Sequence, residues 1–219
     1  MIGDVGNVVV YTALYGPHDE LKTQPSLPGV DYLCFTDQPV TARGWEVVQV
    51  RPALPDRLAS KEPKMEPHRW VRRWRQSIWV DASVQIVSSD FASIVLGAMD
   101  DGLALFAHPD RDCIYEEAEV SKTMPKYDVA EIDAQMARYR AEGYPEHAGL
   151  WASGIIAREH RRSMRRLGRK WFDRCKSESV QCQISLPPLL RSLGITPGTI
   201  PGNLWDNDLI QVLGHLRET

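Results

Sequence analysis

"SIWVDASVQI", residues 77–86, is the stretch on which the reading of this chain turns. Ile78, Trp79 and Val80 make an apolar, β-branched and aromatic run of the kind that fills a buried strand. A carboxylate follows at once. A buried charge is costly unless something pairs with it, so Asp81 caps a turn, holds a metal, or does both.

The runs on either side give the strand its company. "NVVVYTALYG" (7–16) reads as a first, central strand closed by a glycine turn, and "VDYLCFTD" (30–37) and "WEVVQV" (45–50) as two more, with turn chemistry in "QPVTARG" between them. Residues 51–68 carry four prolines and mixed charge, which predicts an irregular loop with at most a short helix. "SSDFASIVLGAMDDG" predicts a capped helix ending at Gly102, and "LALFAHP" a strand stopped by Pro109. From Cys113 to Glu142 the chain is helix-forming, with one break near Pro125, and "GLWASGIIAR" (149–158) reads as a strand with small residues at its centre. "EHRRSMRRLGRKWFDRC" is an amphipathic helix with Met164, Leu167 and Trp171 inward. "CQISLPPLLRSLG" predicts one short helix, and a Pro/Gly-rich tail follows. No repeat, low-complexity tract or linker interrupts this order. Strands alternating with helices predict one α/β domain over residues 1–219, with a mostly parallel central sheet flanked by helices.

Bulk properties narrow the function. The 219 residues are 43% hydrophobic and 25% charged, enough for a sizeable core, and a net charge of -3 gives no reason to expect nucleic acid as a partner. Positive charge is nevertheless clumped: eight arginines and lysines lie between 158 and 174, against Glu159 and Asp173. Such a helix reads as a solvated face, or as a surface for anionic lipid or an anionic acceptor in peripheral contact with a membrane. Cys34, Cys113, Cys175 and Cys182 form no CxxC pair, which predicts free buried thiols in a reducing compartment. The start "MIGDVGNVVVY" has no basic n-region with a long apolar run, and no apolar stretch nears the ~20 residues of a membrane span. The expectation is a cytoplasmic protein.

In a parallel α/β sheet, ligands collect outside the carboxyl ends of the strands. Here those ends offer Thr12 to Tyr15, Thr36–Asp37, Asp81–Ser83, His108 and Ser153. A hard divalent ion wants carboxylates and room for substrate phosphates; Asp81 is the best-placed carboxylate, with His108 on a neighbouring strand end. Glu116 and Glu117 open a helical stretch, where acidic residues suit the dipole without further duty. Trp70, Trp74 and Trp79 read as packing.

"VVVYTALYGPHDEL", "PHRW…SIWVDASVQI", "HPDRDCIYEEAEV", "GLWASGIIAR" and "QCQISLPPLL" together carry a resemblance running from about Val8 to about Leu190. In order and spacing they are similar to a glycosyltransferase-like family, once catalogued as a domain of unknown function and now named for plant mucilage and turgor-related proteins. The most specific pieces are "IWVDAS" and "HPDRDCIYEEAE". The family resembles GT-A, Rossmann-like transferases that use nucleotide sugars.

The resemblance implies a metal-dependent hexosyltransferase. Its donor would be a nucleotide diphosphate sugar, its acceptor the hydroxyl of a glycan or glycoconjugate, and its metal Mn²⁺ or Mg²⁺. It implies base and ribose contacts at Thr12, Ala13, Tyr15, Thr36 and Asp37, and a basic partner for the diphosphate among Lys64, His68 and Arg69. A DxD-like metal motif falls on Asp81-Ala82-Ser83, with His215 as the C-terminal metal ligand. His108 and Arg111 would lie at sugar or phosphates, Ser153 and Gly154 under the donor sugar, and Gln183 beside it. Two departures stand out. Ser83 offers a hydroxyl, a weak metal ligand, and Cys182 stands where related sequences usually have aspartate. They leave room for two other readings: a degenerate module that binds nucleotide sugars without turnover, and a peripheral binder of anionic surfaces.

Overall fold

The computed structural model describes residues 8–17 and 19–214. Its first strand, β1 (Val8–Leu14), is buried along its whole length. That is what an unbroken apolar run does in a sheet covered on both sides. Its side chains alternate: Val9, Tyr11 and Ala13 enter one core layer, Val8 and Val10 the other. β2 (Val30–Thr36) and β4 (Gln76–Val80) flank it in parallel, and β3 (Glu46–Gln49) extends the edge beyond β2.

The other half is built on β7 (Trp151–Glu159), which runs antiparallel to β4 and to β6 (Leu103–Ala107). With β8 (Gly198–Thr199) the sheet has seven strands in the order β3-β2-β1-β4-β7-β6-β8. It is mostly parallel, with β7 reversed. β1, β4 and β6 therefore end at the edge where β7 begins, and Asp81 N donates there to the carbonyl of Gly154 at 2.9 Å. One face is covered by α1 (Asp56–Met65), α6 (Arg162–Ser177) and α7 (Cys182–Leu193), which share a core with Tyr11, Trp79 and Leu105. The other is covered by α3 (Phe91–Gly97) and a ribbon of β5 (Val84–Ile86) with β9 (Ile210–Val212). α4 (Ile114–Lys122) and α5 (Val129–Ala141) pack together as a satellite against Ile184 of α7.

Four expectations are corrected. Residues 51–70 hold the ten-residue α1 and the short α2 (Pro67–Trp70) instead of an irregular loop. Two of the prolines sit where the missing N–H costs least, Pro55 just before the first turn of α1 and Pro67 at the first position of α2, while Pro63 stands buried inside α1. The helix expected to reach Gly102 stops at Gly97, because Asp101 and Gly102 take positive φ in the turn leading into β6. The Pro/Gly-rich tail supplies β8 and β9. Arg158 belongs to β7 and is 2% exposed, so it is no part of a solvated helix.

Candidate active site

At the carboxyl end of β1 and β4 the structure opens a cavity of about 570 Å³. Its walls are Ala13 and Leu14 at the end of β1 with Tyr15 after them, one face of α1, the α4–α5 connection at Met124–Tyr127, and Val180–Gln183 leading into α7. Asp56, Arg57, Ser60, Lys61 and Lys64 all face it, which is the 3–4 spacing of a single helical face.

Asp81 stands on the floor. Its Oδ1 accepts from Lys64 Nζ at 3.0 Å and from Trp79 Nε1 at 2.6 Å, so the carboxylate of the buried strand is paired. Its side chain does not cap the turn; the turn closes through its backbone carbonyl, which accepts from Val84 N at 2.9 Å. Trp79 is held edge-on by Tyr11, with ring centroids 5.3 Å apart. Beneath α1, the buried Arg158 guanidinium donates to the carbonyls of Lys64 and Met65 and to Tyr11 Oη. A cation at these last carbonyls suits the negative end of the helix dipole and fixes the turn that carries Lys64.

Cys182 opens α7 on the opposite wall. Its sulfur accepts from Lys61 Nζ at 3.4 Å and lies 3.6 Å from Ser153 Oγ. Burial pushes the thiol up, but the charges of Lys61 and Lys64 and the Ser153 hydroxyl outweigh it and bring the thiol below its ordinary value. Burial would likewise lower Lys61, and the facing Cys182 sulfur raises it. On the α4–α5 connection, desolvation and then repulsion from Arg57 and Lys61 push Lys126 down. Several cations thus crowd one cavity, and an anion entering it would relieve them.

The expected site residues divide. Ala13, Tyr15, Lys64, Asp81, Ser153 and Gln183 line the cavity, and Gly154 lies directly beneath it: a Cβ there would stand 3.5 Å from Asp81 Oδ2. Thr12 and Thr36 are fully buried in the sheet, and Thr36 Oγ1 accepts from Gln38 N at 3.0 Å. Asp37 is exposed off the cavity; burial and its charge push Tyr15 up to about 12. His68 and Arg69 turn away towards Glu62 and Glu66. Ser83 is buried outside the lining, and its carbonyl accepts from Leu213 N. His215 lies outside the described residues.

His108 and Arg111 do not reach the cavity. They meet the buried Glu117: Arg111 Nε and Nη2 both donate to Oε2 at 2.8 Å, and His108 Nε2 lies 3.5 Å from the same oxygen. The other oxygen accepts from Gln181 Nε2 at 3.2 Å, and Gln181 lines the cavity. This network therefore braces the wall from behind. Among the described residues, one group of carboxylates and histidine has ligand atoms all within 4.8 Å of one another, Asp112, Glu116 and His147. It is exposed, and none of the three lines the cavity. Arg57, Lys61, Lys126 and Gln181 escaped the sequence reading. The Arg57-x3-Lys61-x2-Lys64 spacing was the available signal, hidden inside a proline-rich stretch.

Comparison with known proteins bears on this arrangement. A family model described as "TOD1/MUCI70, glycosyltransferase-like domain" matches residues 35–193. The chain belongs to that family. It is also 26% identical over 209 residues to the Arabidopsis thaliana protein "Probable hexosyltransferase MUCI70", a match covering 81% of this chain and 36% of the relative. The chain thus spans about a third of the length of that relative. Across the family match lie every strand from β3 to β7 and the helices that wall the cavity. The mostly parallel sheet agrees with the GT-A-like architecture expected of such a domain.

Proposed function

We propose that this chain is a glycosyltransferase that moves a hexose from a nucleotide diphosphate sugar to a hydroxyl of a glycan or glycoconjugate. The observation that carries the reading is the Asp81–Lys64 pair at the end of the central strand, on the floor of a cavity also faced by Arg57, Lys61 and Lys126. A departing diphosphate gathers negative charge, and fixed cations stabilise it without reorganising at the moment of reaction. Lys61 and Lys64 would hold the phosphates, while Ser153, Gln183 and Cys182 line the wall where the sugar would lie and orient it.

A divalent ion fits this site through Asp81. Its Oδ1 is taken by Lys64 and Trp79, while Oδ2 accepts no hydrogen bond among the described residues and the side chain is 39% exposed. Mg²⁺-type ions take one or two carboxylates and complete their shell with phosphates and water. Such an ion would act as a Lewis acid on the leaving diphosphate.

Calorimetric titration tests the reading. The wild-type protein should bind nucleoside diphosphates more tightly with Mn²⁺ present, and Asp81→Asn should keep its melting temperature but lose the Mn²⁺-dependent part. Unchanged Mn²⁺-dependent binding in the variant would remove Asp81 from the site. Cys182, in the place of the usual aspartate, favours a second reading: a module that binds nucleotide sugars without turning them over. Product analysis on a nucleotide-sugar panel, beside the titration, separates the two.

A further inference from the structure

Cys182 and Gln183, which wall the cavity at the start of α7, follow a helix cap of an uncommon kind. Ser, Thr, Asp and Asn favour the N-cap because a short side-chain oxygen reaches the first free N–H groups. Here Gln181 takes that place, and its Oε1 accepts from Gln183 N at 3.3 Å. A glutamine amide turned over would set N–H against N–H and lose the cap. What holds it one way round lies behind the cavity wall.

Glu116 is exposed, but Glu117 is buried, and its carboxylate meets the back of Gln181. Gln181 Nε2 donates to Glu117 Oε1 at 3.2 Å and to Ser121 Oγ at 2.7 Å. Both amide protons are thereby used, and the amide oxygen is left for the helix. Ser121 Oγ donates in turn to the same Oε1 at 3.4 Å. The other oxygen, Oε2, is clamped by Arg111. His108 Nδ1 accepts from Asp110 N at 3.3 Å and from Arg111 N at 3.2 Å, which leaves the proton of the neutral ring on Nε2, the atom facing Oε2. A carboxylate only accepts, so the direction of donation is fixed along the whole chain Arg111–Glu117–Gln181–Gln183.

Burying such a carboxylate brings little net stability, since apolar side chains of similar volume often serve a core as well. An apolar side chain cannot orient an amide. We propose that Glu117 is a positioning residue for sugar transfer: acting through Gln181, it sets the start of α7 and with it the side chains of Cys182 and Gln183. The proposal rests on the donor reading above. Lys61 and Lys64 stand on α1, across the cavity from this network. Loss of Glu117 should therefore misplace the sugar while the diphosphate stays held. A misplacement of ~1 Å can cost on the order of a hundredfold in rate.

Exchanging the pair tests this. Glu117→Gln brings an amide where only an acceptor fits, so Arg111 or Gln181 loses its partner. The kcat for nucleoside diphosphate release from a panel of nucleotide sugars should fall at least about tenfold. Affinity for UDP, GDP and inorganic pyrophosphate, measured by calorimetry, should stay within about threefold. In the double variant Glu117→Gln with Gln181→Glu, amide and carboxylate change places, and the new carboxylate still accepts from Gln183 N. Its kcat should return to within about threefold of wild type, while Gln181→Glu alone sets two carboxylates face to face and should be slow. Gln181→Met removes the capping oxygen and should show the same split between kcat and affinity, which covers a Glu117→Gln protein that does not fold. Unchanged release in Glu117→Gln, or a double variant no faster than the single ones, would overturn the positioning role and leave the donor reading intact. So would a loss of diphosphate affinity as large as the loss of kcat, which would make Glu117 a support of the fold only. No release by the wild-type protein from any donor would overturn both.

Discussion

Asp81 was legible from the sequence because an apolar run ends on it; Lys64 entered only through the family resemblance, as one of three basic residues for the diphosphate, and its pairing with Asp81 was not legible. Cys182 was legible only as a departure. Its surroundings, Lys61 and Ser153, come from elements 121 and 29 residues away, and no local pattern announces them. They make its titration a readout. Thiolate grows with pH, so turnover of the wild-type protein should climb from neutral towards alkaline pH, starting below the ordinary thiol range. Cys182→Asp supplies a permanent charge facing Lys61 and should remove that climb. A charge-assisted hydrogen bond is worth about 1.5–3 kcal/mol, so turnover near pH 7 should rise roughly tenfold or more. A destabilised Asp variant that is no faster would make Cys182 a core thiol only.

His160 gives a second prediction at this scale. Burial, then the Arg158 charge, pushes it down to about 4, and its Nε2 lies 2.8 Å from Ser77 Oγ. The folded protein therefore keeps His160 neutral where the unfolded chain protonates it. Between about pH 6.5 and about pH 4 the unfolded state binds more protons, so stability falls as pH falls through that window. His68 and His108 shift in the same direction. His160→Gln should shrink the loss of melting temperature between pH 7 and pH 4.5 without abolishing it; an unchanged loss would contradict the assignment.

Among the elements, strands and amphipathic helices were legible, and α1 was not. Local propensity counted its prolines against it, while the packing that stabilises it is tertiary. Gly168 of α6 meets the end of α1 so closely that a Cβ would run into the Met65 carbonyl. Gly168→Ala should gain up to about 1 kcal/mol of helix propensity and lose more, about 1–3 kcal/mol of overpacking against rigid backbone. Where it prevails, the loss should lower the melting temperature by a few degrees, at roughly 2–4 °C per kcal/mol for a chain of this size. Calorimetry showing a gain would mean that α1 yields. The opposite face of α6 carries Arg162, Arg165, Arg166 and Arg169 in solvent. Replacing Arg161, Arg162, Arg165 and Arg166 with glutamine should leave nucleoside diphosphate affinity within about twofold, because none of them lines the cavity. A loss as large as that of Asp81→Asn would tie this helix to the chemistry.

For the whole molecule, alternating strands and helices made the mostly parallel sheet legible, because a buried parallel strand and an amphipathic helix leave different periods in a sequence. The reversal of β7 left no such mark, since an apolar strand reads alike in either direction. Nor did the sequence indicate that His108 and Arg111 would face Glu117 instead of the cavity. The sheet order decides that, by inserting β7 between β4 and β6. No helix of the described residues is long and apolar enough to cross a membrane.

Turnover of nucleotide sugars in the Asp81–Lys64 cavity, as proposed above, is open to direct measurement. Release of nucleoside diphosphate from a panel of nucleotide sugars, measured for the wild-type protein, Asp81→Asn and Lys64→Met, tests it most directly. The wild-type protein should release diphosphate from at least one donor, and each variant should lose at least about a hundredfold while staying folded. Equal release by the wild-type protein and both variants, or none from any donor, would contradict it.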